Sequence, residues 1–353
     1  MGSNVPPAAR PSRREPLRVS LLVLPDATLG SLTGMLDTLS CFPLLGTFDD
    51  SVPTEPPFAV ELVAASAGSV PTASGVSLPV HRSIADPART DIAIVPSLLV
   101  AGGAWHRGRY PDLVAWLERV HGEGAMLCSA CSGVLLIAET GLLSSRDATM
   151  HPAYADTFRS NFPDIRLRLE ETLVTTGERE ELVMAGASAS WHDLVLYLVA
   201  RHVGPTAAQA VAKFLLLQWH TDGQAPYVPF APPGDHGDAI VLRAQEWLQT
   251  GYAVAAPVTE LVERSGLPER TFKRRFARAT GYSPIAYVQH VRVEEAKRRL
   301  ERTSAPVDAI SYAVGYEDPA SFRRLFKRIT GVPPGVYRRK LQLPAFARSA
   351  RRA

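Results

Sequence analysis

At 353 residues, 46% of them hydrophobic, the chain is too long for one ordinary core and has the apolar material for two. The formal net charge of +3 conceals an uneven split: from Ala239 onward there are 22 Lys and Arg against 10 Asp and Glu, whereas the preceding residues carry 16 against 25. Three cysteines with a single C-x-x-C exclude a disulfide framework and argue against structural zinc, so no metal or other cofactor is expected. The lack of any apolar run of about eighteen residues excludes a membrane-spanning helix.

The first stretch, MGSNVPPAARPSRREP, has charge and proline without the apolar segment of a secretory leader. Residues 1–16 are therefore expected to be a disordered tail, and the protein cytoplasmic. From there to about residue 220, short apolar runs alternate with helix patterns. LRVSLLVLP (17–25), FAVELVAAS (58–66), DIAIVPS (91–97), AMLCSA (125–130) and LVMAGA (182–187) suit buried strands. YPDLVAWLERVHGEG and SWHDLVLYLVARHVG are apolar at helical spacing, and Gly204 ends the second. The alternation predicts an α/β domain over 17–220 with a mostly parallel sheet flanked by helices, of flavodoxin-like type. Sites in such domains form at the carboxyl ends of the strands.

One strand-to-helix junction in this domain carries chemistry. In LCSACSGVLLIAETGLL (127–143), a sharp turn presenting a nucleophile needs small residues two positions before and after it. Ser129-Ala130-Cys131-Ser132-Gly133 meets that need with Cys131 at the apex, whereas an apex at Cys128 would place Met126 where a small residue is required. Cys131 is thus the candidate reactive thiol, favoured as thiolate by the positive end of a helix, and Cys128 a buried strand residue. Two packed cysteines at a tight turn are the plainer alternative.

The run CSGVLLIAETGLLSSRDATMHP resembles the PfpI-like branch of the class I glutamine amidotransferase-like superfamily. The resemblance covers roughly 17–220 and implies a histidine facing the thiol at His151; read alone, His151 before Pro152 is equally a structural histidine. Family members usually place a carboxylate near the first strand, where this chain has GSLTGMLD with Ser31 at that position. A hydroxyl cannot act as the charged partner or general base. Cys131, His151 and Ser31 are therefore expected to line an effector pocket without forming a catalytic centre.

Residues 221–239, beginning TDGQAPYVPFAPPGDHGD with four prolines and three glycines, are expected to be a linker. Beyond it lies an internal repeat. FKRRFARATGYSPIAY starts at Phe272 and FRRLFKRITGVPPGVY at Phe322, with Phe276/Phe326, Thr280/Thr330, Gly281/Gly331, Pro284/Pro334 and Tyr287/Tyr337 all at the same offset. Each copy predicts a helix-turn-helix: PVTELVERSG then PERTFKRRFARAT, and PVDAISYAVGYED then PASFRRLFKRIT. Phe272, Phe276 and Ala279 form the apolar stripe of one second helix, and Phe322, Phe326 and Ile329 that of the other. The opposite faces present Arg270, Lys273 and Arg274, and Ala320, Arg323, Arg324 and Lys327, a basic face of the kind that enters a DNA major groove. Between the copies, SPIAYVQHVRVEEAKRRLERT predicts a connecting helix of about 30 Å, close to the ~34 Å repeat of one DNA turn.

This arrangement, with the run GYEDPASFRRLFKRITGVPP ending at Pro334, resembles the AraC/XylS family over about 240–341, leaving 342–353 as a basic tail. The resemblance implies base contacts from Arg270, Lys273 and Arg274 in the first reader and from Ala320, Arg323 and Arg324 in the second. Ala320 is not a polar reader, so phosphate and shape recognition weigh more there. The two resemblances together are those of GlxA-like transcription regulators. They imply an α/β domain that dimerises and senses an unidentified small molecule, a basic domain that binds double-stranded promoter DNA, and RNA polymerase as a further partner. The competing readings are a Cys131-dependent hydratase or amidase with an attached DNA-binding domain, and an architectural DNA binder whose α/β domain only dimerises.

Overall fold

The computed structural model describes residues 15–232, 234–344 and 347. The tail expected over 1–16 falls outside these for residues 1–14, as does most of the basic tail expected over 342–353. The chain divides into two units, one ending at Gln224 and the other beginning at Ala225.

The strands of the first unit are β1 (Leu17–Leu22), β2 (Phe58–Ala64), β3 (Ser69–Pro71), β4 (Ser77–Pro79), β5 (Arg82–Ser83), β6 (Ile92–Val95), β7 (Met126–Ala130), β8 (Asp147–Ala148), β9 (Arg166–Leu167), β10 (Leu173–Thr176) and β11 (Leu182–Ala185). Seven form one sheet in the order β10-β11-β7-β6-β1-β2-β5, parallel throughout except where β10 meets β11. Every residue of β6 and β7 is buried, which requires helices on both faces and explains why these strands read as short apolar runs. The helices are α1 (Leu29–Ser40), α2 (Phe42–Leu45), α3 (Pro111–Gly122), α4 (Val134–Glu139), α5 (Ala155–Asn161), α6 (Trp191–His202) and α7 (Pro205–Phe214). Helix α1 packs on α6, while α3 and α4 pack on β7. A side chain on Gly34 would overlap the Trp191 indole, its Cβ only 2.5 Å from the ring, so glycine sets the closeness of α1 and α6. This is the flavodoxin-like architecture expected for the domain.

The second unit is all helical: α8 (Ala239–Gly251), α9 (Pro257–Ser265), α10 (Glu269–Thr280), α11 (Pro284–Arg302), α12 (Val307–Ala313), α13 (Pro319–Thr330) and α14 (Pro334–Leu341). Asp238, Ser283 and Asp318 cap α8, α11 and α13 by accepting first-turn N–H groups. Two small cores lie along α11. Leu261, Phe272, Phe276 and Tyr287 belong to the first, and Val293, Leu300, Phe322, Phe326 and Tyr337 to the second. Each buried phenylalanine contributes roughly 1.5–3 kcal/mol.

The sequence repeat is a geometric repeat. Phe276 meets Tyr287 edge-on at 5.2 Å, and Phe326 meets Tyr337 edge-on at 5.4 Å. Thr280 and Thr330 each donate to the carbonyl four residues earlier at 2.8 Å. Arg292 of α11 stitches the unit: only 8% exposed, its guanidinium donates to the carbonyls of Tyr252 (2.7 Å), Val254 (2.8 Å) and Gly315 (2.9 Å). Gly315 turns the second motif at φ 90°, and a Cβ there would stand 2.6 Å from the Ala253 carbonyl, so no other residue fits.

Candidate functional site

In the first unit the elbow forms where β7 ends. Cys131 adopts φ 56° and is 2% exposed, a left-handed backbone that costs a non-glycine residue about 1–3 kcal/mol and persists only where its surroundings hold it. Two neighbours do so. Ser132 Oγ donates to the Leu98 carbonyl at 2.5 Å and accepts from the Leu98 N–H at 2.8 Å. Gly133 leaves no room for a side chain, since a Cβ would lie 2.6 Å from the Val95 carbonyl oxygen. The elbow is thereby fastened to the carboxyl end of β6, the position that places ligand sites in such sheets.

Cys131 Sγ lies 3.5 Å from Ser188 Oγ. Ser31 and His151 have other engagements. Ser31 Oγ donates to the Thr28 carbonyl (3.1 Å) and accepts from the Ser97 N–H (3.2 Å). His151 caps the short turn Pro152–Tyr154, its Nδ1 accepting from the Ala153 N–H at 3.1 Å, and burial lowers its pKa. Among the described residues no hydrogen bond joins Cys131 to either. Cys128 is fully buried on β7 and burial pushes its thiol far above the ordinary range. Ser188 was missed in the sequence because the short SAS segment after LVMAGA carries no periodicity of its own. Among the described residues no cluster of His, Cys, Asp and Glu is arranged to hold a metal ion, and no helix is long and apolar enough to cross a membrane.

In the second unit all seven named reader residues lie on the exposed faces of α10 and α13. They differ in their partners. Arg270, Arg274 and Lys327 make no side-chain hydrogen bond or ion pair among the described residues. Lys273 pairs with Glu269 at 2.5 Å, Arg323 pairs with Asp308 of α12, and Arg324 donates to Ser321 Oγ at 2.8 Å with Asp318 at 3.8 Å. Asp318 is held below the ordinary carboxylate range by hydrogen bonds from Ser321 and from the N–H groups of Ala320 and Ser321. A further basic residue escaped the sequence reading. Arg328, one turn beyond Arg324, joins Gln289, Tyr316, Ser321, Arg324 and Leu325 around a cleft of about 380 Å³, and donates to Gln289 Oε1 at 3.2 Å. Its place one helical turn after Arg324 was the available signal.

An elbow cysteine on a doubly covered parallel sheet, followed by two helix-turn-helix motifs sharing a connecting helix, defines the class: a DJ-1/PfpI domain joined to an AraC-type helix-turn-helix domain. Residues 53–184 match the DJ-1/PfpI family and residues 261–340 a helix-turn-helix domain family. Among individual proteins, the chain is similar to the HTH-type transcriptional regulator CdhR of Pseudomonas aeruginosa, 26% identical over 80% of this chain and 82% of the relative. It is also similar to the HTH-type transcriptional regulator GlxA of Rhizobium meliloti, 25% identical over 64% of this chain and 68% of the relative. A crystal structure of an AraC family transcriptional regulator from Pseudomonas putida aligns with 57% of this chain and 100% of its own, at 22% identity and a TM-score of 0.46.

Proposed function

We propose that this protein is a sequence-specific DNA-binding transcription regulator, in which the helical unit binds promoter DNA and the α/β unit dimerises and senses a small molecule. The observation that carries the reading is the doubled basic face: α10 and α13 present arginines and lysines at matching positions of one repeated unit. The 19 residues of α11 span about 28 Å at 1.5 Å per residue, close to the ~34 Å of one DNA turn, which suits readers in successive major grooves. A dimer would bring two such pairs to paired half-sites. RNA polymerase is the natural further partner of a promoter-bound regulator.

The α/β unit acts as a sensor and not as a hydratase or amidase. Ser31 supplies no charge to Cys131, and the Nδ1 of His151 is committed to a backbone N–H. Selection of duplexes from a random pool by the full-length chain, with binding measured across salt concentration, tests the DNA-binding reading. Enrichment of one sequence and a steep fall of log affinity with log salt are expected. Recovery of no preferred sequence, or a flat salt response, overturns it. Turnover of small aldehydes, nitriles or amides by the wild type and not by Cys131→Ser would replace the sensor with an enzyme.

A further inference from the structure

The stretch expected as a linker is anchored at both ends. Gln224, its last residue in the first unit, is 3% exposed. Its carboxamide donates to Thr149 Oγ1 (3.0 Å) and the Met150 carbonyl (3.1 Å) and accepts from the Ala187 N–H (2.9 Å). Those partners adjoin His151 and Ser188, and Ser188 is the residue beside the Cys131 thiol. The residues that follow belong to the second unit and are packed there. The turn Ala225–Tyr227 lies against α13, the second reader. The Val228 carbonyl accepts from Lys297 Nζ at 2.8 Å; Lys297 is 5% exposed and also lies over the Tyr337 ring of the second core. Phe230 stacks on His290 at 4.7 Å and meets Tyr282 and Tyr287 edge-on at 5.3 and 5.1 Å, the aromatic cage that follows the first reader.

We propose that Ala225–Phe230 is a clip that holds the two readers at one separation, and that displacement of Gln224 at the rim of the cysteine elbow shifts it, so that the first unit controls which spacing of DNA contacts the second accepts. A buried, fully hydrogen-bonded amide has discrete positions, and the chain segment that touches both helical cores follows it directly. A signal at the rim therefore reaches both readers through the backbone. The inference rests on the DNA-binding reading.

The test needs no effector, because Gly186 supplies the displacement. A Cβ there would overlap the Gln224 carboxamide, so Gly186→Ala must move that side chain. Affinity of the full-length chain would be measured by fluorescence anisotropy on the duplex it selects from a random pool, with thermal melting as the check on folding. Gly186→Ala should change Kd by about fivefold or more, the lower end of ordinary coupling between sites. A Gly-Ser-Gly-Ser insertion after Gln224 should abolish that change. Phe230→Ala should narrow the difference in affinity between the selected duplex and a copy with base pairs inserted between its contacted segments. A folded Gly186→Ala chain with unchanged Kd overturns the clip, as does an effect of Gly186→Ala that survives the insertion, or undiminished spacing discrimination in Phe230→Ala. Failure of the wild type to select any duplex would instead defeat the DNA-binding reading itself.

Discussion

Replacing Arg292 by methionine probes what holds the two helix-turn-helix motifs together. The guanidinium satisfies three backbone carbonyls, from Tyr252, Val254 and Gly315, at 2.7–2.9 Å, and stacks over the Tyr316 ring at 5.0 Å. No carboxylate pairs with it among these contacts, so the carbonyl dipoles carry the whole task of stabilising a nearly buried charge. Hydrogen bonds to a charged donor contribute about 1.5–3 kcal/mol each. Methionine also removes the desolvation cost of the charge, and water reaches some of the vacated carbonyls, so the three bonds do not add. A net loss of about 2–4 kcal/mol is expected, since no charge is stranded and each carbonyl that water does not reach costs about 1–3 kcal/mol. That is a large share of the ~5–15 kcal/mol available to a domain. Trp247 is the sole tryptophan of the helical unit, and urea unfolding followed by its fluorescence, with the other tryptophans changed to phenylalanine, reads that unit directly. Arg292→Lys should fall between the two, since one ammonium cannot span three carbonyls. A loss under about 1 kcal/mol for Arg292→Met would refute the assignment of Arg292 as the stitch of the unit.

Arg274→Ala, which removes an exposed guanidinium without a partner among the described residues, should weaken binding to the selected duplex by about 1–3 kcal/mol and random duplex by less; equal losses on both would remove it from base reading. Arg324→Ala and Arg328→Ala, on one cleft, should lower affinity evenly across sequences; Arg328→Ala should reduce the salt slope by about one and Arg324→Ala by less, because Asp318 beside Arg324 takes up a cation when the arginine moves to a phosphate, as anisotropy across a salt series would record. Cys131→Ser should leave folding and basal DNA affinity nearly intact, and peroxide treatment followed by mass spectrometry should modify Cys131 before Cys128, whose burial holds the thiol protonated; faster oxidation of Cys128 would reverse the ranking. Burial lowers the pKa of His151, His192, His202 and His290 below the ordinary value of about 6.5. The unfolded chain therefore takes up protons first as the pH falls, and stability present above that value is lost on acidification through it. Urea midpoints should drop between about pH 7 and 5.5, and His290→Gln should flatten the part of the drop reported by Trp247.

The strands that carry the sheet were legible because β6 and β11 are unbroken apolar runs and β1, β2 and β7 are mostly apolar, interrupted only by Arg18 and Ser20, by Glu61 and by Ser129, a pattern that burial on both faces favours. The two-residue β5, β8 and β9 leave no periodicity to detect, and β10, with Leu173, Val174 and two threonines, is too short and half polar. The repeat exposed both helix-turn-helix motifs because matched cores demand matched aromatics at one offset. Cys131 was found because the backbone of a sharp elbow restricts its neighbours to small residues. Ser188, Gln224 and Phe230 were not, since a contact between segments distant in sequence or a single docked side chain in a proline-rich stretch writes no pattern into the chain. The Arg323–Asp308 pair was hidden for a related reason, since the two lie fifteen residues apart, beyond any helical spacing, whereas Lys273 and Glu269 stand four apart on one helix, a spacing the sequence does display.

Those ion pairs bear on how the protein would search a genome. Each basic side chain that leaves Glu269, Asp308 or Asp318 for a phosphate releases a cation from the DNA but leaves behind a carboxylate that must recruit one. The net ion release is then smaller than the number of phosphates touched. Indiscriminate sticking to bulk DNA, which depends almost wholly on that release, is weakened more than binding at a matching site, where base contacts add their own free energy. On the proposed DNA-binding reading, the acidic neighbours would serve as internal competitors for the DNA, shortening each futile stop and leaving more of the protein free to reach its target.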